Sequence, residues 1–165
     1  MSERGWELSS VSGREAARWT VTGCDGRGED AALRCDVRLE GQYYGEALGA
    51  QSLGDVPDFA LVLRGLDLRR RELERLAGYL ADWLALPPAA LGDQRAGFTC
   101  GMGALFDQRL TLTVGRRDDT RSAGRPVATL AYGVGRMRGE MSYVIDHQSL
   151  RRLAAGIARA LEQGA

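Results

Sequence analysis

Lysine and asparagine are absent from this 165-residue chain, and histidine occurs once, as His147. One histidine without a cysteine pair leaves no ligand set for zinc, which needs three or four nitrogen or sulfur donors. Cysteine is scarce as well: Cys24, Cys35 and Cys100 are odd in number, far apart, and make no CxxC pair. That spacing suits neither a zinc ribbon nor a disulfide framework, so reduced thiols in a cytoplasmic protein are expected. Long apolar runs are missing, which argues against a membrane-spanning helix. Met1 to Ser10 carries Glu3, Arg4 and Glu7 and has no apolar centre, unlike a signal peptide. Net charge is missing too: 22 basic residues, all arginine, cancel 22 acidic ones. Without an overall field the chain has no means of concentrating nucleic acid or an anionic membrane, and neither is expected as a partner.

What is present is the composition of a globular domain, with 44% hydrophobic and 27% charged residues. Residues 1–165 read as one domain, with 1–17 as a loose lead-in pinned by Trp6 and Leu8. Arg18 to Thr22 has strand character and ends in the Gly/Asp-rich stretch through Asp30. From Ala32 to Glu40 the alternation is strict. Leu33, Cys35, Val37 and Leu39 point one way, and Arg34, Asp36, Arg38 and Glu40 the other, as in a strand wet on one face. Tyr43 to Leu48 reads as its return strand, and Phe59 to Leu63 as a buried one. A helix is expected over about 67–86, capped by Asp67, with Leu73, Leu76, Ala77, Leu80, Trp83 and Leu84 on one stripe and Pro87-Pro88 as its stop. Further strands follow at Phe98 to Cys100, Leu105 to Val114, Val127 to Tyr132 and Met141 to Ile145. A second helix, capped by Asp146, covers 147–162. The fold class is therefore α+β: an antiparallel sheet with two helices packed on it, in the order strands, helix, strands, helix.

The chemistry-bearing residues do not form a catalytic set. His147 follows Asp146 on a helix start, where adjacent side chains diverge, so a solvent-facing residue is expected. There is no GxSxG elbow around Ser142 or Ser149. Cys100 is either an exposed thiol in a glycine-bearing segment or a small buried residue beside a bulge. Gly133-Val-Gly-Arg-Met-Arg-Gly139 lacks the helix that a phosphate loop requires, and it reads as a turn. Asp25, Glu29 and Asp30 lack the ligand alternation of a calcium loop. No metal and no cofactor are expected. The arginine runs Arg69-Arg70-Arg71, Arg116-Arg117, Arg136/Arg138 and Arg151-Arg152 would grip phosphate or an acidic partner only if they converged. Trp6, Trp19, Tyr43 and Tyr44 are candidates for an aromatic partner anchor, against cross-strand packing.

The grammar of elements resembles the WapI-type bacterial immunity proteins. It is carried by Asp67-Leu68 through Glu72-Leu73, Leu76, Leu80 and Trp83-Leu84, and by Tyr143 to Ile145 followed by Asp146, Ser149-Leu150 and Leu153. The chain lacks the aromatic, proline-rich strand segments of that family. The resemblance implies a non-catalytic protein that occludes the active site of a cognate toxin. The partner-binding residues on that reading are Asp25, Glu29, Asp30, Glu40, Glu46, Asp55 and Asp58, the acidic set of the N-terminal half, together with Tyr44. Two alternatives stand beside it: a secretion or effector chaperone, and a small enzyme with a dispersed Arg/Asp/Glu site.

Overall fold

The computed structural model describes residues 4–42, 59–85, 97–116 and 125–163. It is a mixed α+β molecule dominated by one antiparallel sheet. The strands are β1 (Gly5–Ser9), β2 (Glu15–Asp25), β3 (Ala32–Gly41), β4 (Phe59–Arg69), β5 (Phe98–Leu105), β6 (Gln108–Arg116), β7 (Pro126–Val134) and β8 (Met137–Val144). Helix α1 (Arg70–Ala85) follows β4, and α2 (His147–Gln163) follows β8. Instead of separate strand groups punctuated by helices, the eight strands among the described residues hydrogen-bond in chain order as a single sheet. Among the described residues, Asp67↔Ala104 is the one register pair joining β4 to β5, so pairing is sparsest there, between β1–β4 and β5–β8. No helix among the described residues is long and apolar enough to cross a membrane.

Period-two patterning explains the buried face. Trp6 and Leu8 of β1 align with Trp19 and Ala17 of β2, and these with Val37 and Leu39 of β3. All six are buried. In the second half Leu112 lies between Cys100 and Leu130, and Met141 continues the row. Each helix adds an apolar stripe, Leu73, Leu76, Leu80 and Trp83 from α1 and Leu150, Leu153 and Ile157 from α2, to the same core. Two hydrogen bonds show how the halves close on each other. Trp19 Nε1 donates to the Met102 carbonyl at 3.3 Å, and the Tyr143 hydroxyl donates to the Leu8 carbonyl at 2.6 Å. Helix α2 lies so close to β1 that a Cβ on Gly156 would stand 2.5 Å from Trp6 Cβ.

Several sequence expectations are corrected. The N-terminal segment is not a loose lead-in from Gly5 on: it forms β1 and the start of β2, because Trp6 and Leu8 supply core that a lead-in would leave wet. Asp67 does not cap α1; it sits inside β4, and the helix starts at Arg70, whose amide donates to the Ala31 carbonyl at 2.9 Å. Leu105 to Val114 is not one strand but the end of β5, a turn at Phe106-Asp107, and β6. Asp146 does cap α2, accepting the Ser149 amide at 2.8 Å and the Ser149 hydroxyl at 3.0 Å. The expected strand Tyr43 to Leu48 lies outside the described residues.

Candidate functional site

The most organised polar surface is the outer face of β1–β3, opposite the core. Antiparallel register sets Glu7 beside Arg18 and Arg18 beside Arg38. One step along, Ser9, Ala16, Glu40 and Ala60 form the next row. The charges interlock across strands. Arg18 Nε donates to Glu7 at 2.9 Å, its Nη1 meets Glu40, and Arg38 Nε donates to the same Glu40 at 2.9 Å. The hydrogen bond from Arg18 to Glu7, with both carboxylates nearby, holds this guanidinium above its ordinary range. Glu40 is the sheltered member, its side chain 17% exposed, whereas Arg18 and Arg38 remain about half exposed. A shallow groove of about 460 Å³ runs over this ladder, reaching Ser9, Arg14 and Gln42 at its end.

At the opposite end of β3, Arg34 pairs with Asp25 at 2.6 Å and approaches Asp67 at 3.7 Å. A bulge there puts Arg64 and Gly65 opposite Asp36, and Gly65, in the left-handed region at φ 69°, donates its amide to Asp36 Oδ1 at 2.9 Å. Asp30 closes the short 3₁₀ turn Gly28–Asp30 and is exposed. Glu29 lies within that turn. Of the proposed acidic contacts, then, Asp25, Glu29 and Asp30 share one end of the first half, and Glu40 occupies the other. Tyr44, Glu46, Asp55 and Asp58 lie outside the described residues.

The remaining candidates resolve individually. Trp6 and Trp19 stack on each other, ring centroids 6.1 Å apart, and are buried, so they are core and not a partner anchor. His147 is half-buried rather than solvent-facing, with both ring nitrogens shielded at the start of α2. Cys100 is buried and donates to the Glu72 carbonyl at 3.3 Å; burial, then the Glu72 carboxylate, pushes its thiol up to about 11. Burial with Asp36 and Asp67 pushes Cys35 up to about 12. Neither thiol is a ready nucleophile at neutral pH. No group of three or more His, Cys, Asp or Glu side chains among the described residues could hold a metal ion. Arg117 lies outside the described residues, and among those described the arginine runs are spread over separate elements. Arg70 pairs with Glu74 on α1, Arg151 and Arg152 are exposed on α2, and Arg136 and Arg138 lie at the β7–β8 hairpin.

Sequence reasoning missed two features. Glu7 and Arg18 complete the charge ladder, but their signal lies in pairing, which no single strand displays. Phe106 occupies a two-residue turn and is 94% exposed, within a run that alternates like an unbroken strand.

No protein-family model matches the chain. No curated protein matches it either. Among solved structures the chain is similar to a plant transcriptional regulator, PBF-2, at a TM-score of 0.49 and 9% identity, over 98% of this chain and 81% of that one.

Proposed function

We propose that the chain is a non-catalytic, cytoplasmic protein-binding module of the immunity type, which neutralises a cognate toxin by stoichiometric occlusion of its active site. The observation that supports this reading is the exposed charge ladder on β1–β3. Its side chains are held in place by cross-strand ion pairs on a rigid sheet whose other face is core. Charges fixed before contact lose little freedom on binding, and their pattern sets partner choice and association rate. Toxins that act on nucleotides or nucleic acids have basic clefts, which acidic contacts at Asp25, Glu29, Asp30, Glu40, Glu46, Asp55 and Asp58, with Tyr44 as aromatic anchor, would complement.

The geometry is compatible in scale. Asp25 aligns with Ala32, and Glu40 lies eight residues further along β3, about 26 Å away at the usual rise per residue. A standard interface of about 800 Å² per partner is roughly that wide. One partner can therefore cover both ends. The test is titration calorimetry against the purified product of the gene that neighbours its own, with the activity of that product measured in parallel. A 1:1 complex that abolishes activity, forms more slowly in high salt, and weakens at least tenfold in Asp25→Arg is expected. Absence of a complex between the two purified proteins overturns the proposal.

A further inference from the structure

The second half of the molecule carries a different surface at the tips of its two hairpins. The β5–β6 turn (Phe106-Asp107) and the β7–β8 turn (Gly135-Arg136) are tied side by side by the Gly135 amide, which donates to the Asp107 carbonyl at 3.2 Å. From this joined tip two large apolar side chains project into solvent, Phe106 at 94% exposure and Met137 at 54%. Phe106 has φ 53°, a conformation that turns of this kind assign to Gly, Asn or Asp. Neither the backbone nor the core accounts for a phenylalanine there. A partner that buries it would.

Around the tip arginine outnumbers acid, with Arg109, Arg136 and Arg138 against Asp107 and Glu140. Register places Arg109, Gly133 and Arg138 in a row across β6, β7 and β8, on the outer face. The two arginines stand about 10 Å apart, two strand spacings, with only a glycine between them. They border a groove of about 620 Å³ that also reaches Thr111, Asp107 and Glu140. Arg109, Arg136 and Arg138 are exposed, and among the described residues none makes an ion pair, in contrast to Arg18, Arg34 and Arg38 of the first half. Aromatic, methionine and arginine side chains are the types enriched at protein interfaces, and arginine also in their hot spots.

We infer that the joined hairpin tips, Phe106 and Met137 flanked by Arg109, Arg136 and Arg138, are a docking surface for an acidic protein partner that presents carboxylates around an apolar socket. This surface lies on the other half of the sheet from the charge ladder and takes a partner of opposite charge, so it stands or falls independently of the immunity role. The guanidiniums meet the carboxylates, and the phenylalanine fills the socket.

The test is a titration of the isotopically labelled full chain with a synthetic 12-residue peptide of alternating Glu and Leu, followed by amide NMR shifts. Saturable shifts centred on Phe106, Arg109, Gly133 and Arg138 are expected. Affinity should fall at least tenfold in Phe106→Ser and in the double variant Arg109→Ser/Arg138→Ser, whose spectra away from the tip stay unchanged. The Lys/Leu counterpart of the peptide should leave the tip signals in place. Shifts centred elsewhere, binding unaltered by both variants, or no saturable binding of the acidic peptide overturn the inference. So does tighter binding of a 12-nucleotide oligothymidine through the same residues, which would assign the tip to single-stranded nucleic acid.

Discussion

Two glycines in the two helices make a paired test of how closely α2 lies on the sheet. Gly78 is an exposed interior residue of α1, and a Cβ added to it meets nothing within 4 Å. Replacing it by alanine should stabilise the fold by about 0.8–1 kcal/mol, the difference in helix propensity. Gly156 is an interior residue of α2, and Gly156→Ala gains the same propensity. There, however, the new carbon would stand 2.5 Å from Trp6 Cβ, 3.2 Å from Trp6 Cα and 3.5 Å from the Gly5 carbonyl oxygen. Carbon atoms in contact prefer about 3.5–4.0 Å, so α2 and β1 must separate by roughly 1 Å. Two of the three obstructing atoms are backbone, and the third is the first side-chain carbon, so no rotamer change relieves the overlap. Overpacking of that kind costs about 1–3 kcal/mol. The net expectation is a loss of up to about 2 kcal/mol for Gly156→Ala against a gain for Gly78→Ala. Urea unfolding followed by circular dichroism measures both, with midpoints moving in opposite directions at constant slope. If Gly156→Ala stabilises as much as Gly78→Ala, the helix is not seated on Trp6 as described.

Three further outcomes follow from single sites. Phe106→Gly should raise stability by about 0.5–1 kcal/mol in the same assay, because relief of a left-handed phenylalanine (about 1–2 kcal/mol) exceeds the added freedom of glycine in the unfolded chain; a loss would show that the ring packs on something. Asp146→Ala should cost about 0.5–2 kcal/mol as the α2 cap disappears. The Ser149 amide, chiefly, holds the Asp146 carboxyl below its usual range, so its contribution is present above the unfolded value near pH 4 and is lost as pH falls through the lower folded value. Asp146→Asn should keep most of the cap and flatten that acid limb, which urea midpoints between pH 2 and 6 would measure. In thiol titration with a disulfide reagent at pH 8, Cys24 alone should react quickly in the folded protein, and all three cysteines in urea; burial pushes the Cys35 thiol up to about 12 and the Cys100 thiol up to about 11, so both stay protonated at that pH.

Much of the architecture is legible in residue order wherever one period holds. The strict alternation from Leu33 to Leu39 identifies β3, and the stripe Leu150, Leu153 and Ile157 identifies α2. Errors arise where the period breaks. In Phe59–Arg69 the bulge at Arg64-Gly65 shifts parity, so Leu61 and Leu63 face inward on one count and Leu66 and Leu68 on the next. A reader who expects one parity ends the strand at Leu63 and assigns Asp67 to a helix cap. In Leu105 to Val114 the reverse happens: the Phe106-Asp107 turn lacks the glycine that signals a hairpin, so two strands read as one. The charge ladder shows the same limit at the level of the site. Arg38 and Glu40 announce a wet face, but which charges neutralise each other depends on the register of β2 against β3, and that is fixed by the buried residues behind them.

The agreement between position in the sheet and position in the chain bears on how the molecule assembles. Every strand finds its partner in the next one along, so pairing can advance like a zipper from any hairpin, and each step closes only the connection just made. Loop-closure entropy is then spent in small increments, and a meander should fold faster than a sandwich of equal size whose strands are paired out of sequence. Among the exceptions are the contacts of Trp19 with Met102 and of Tyr143 with Leu8, which join residues 83 and 135 positions apart. Those are expected to form late, as the two half-sheets swing together. Substitutions at Trp19 and Tyr143 should therefore hasten unfolding while leaving the rate of refolding nearly unchanged.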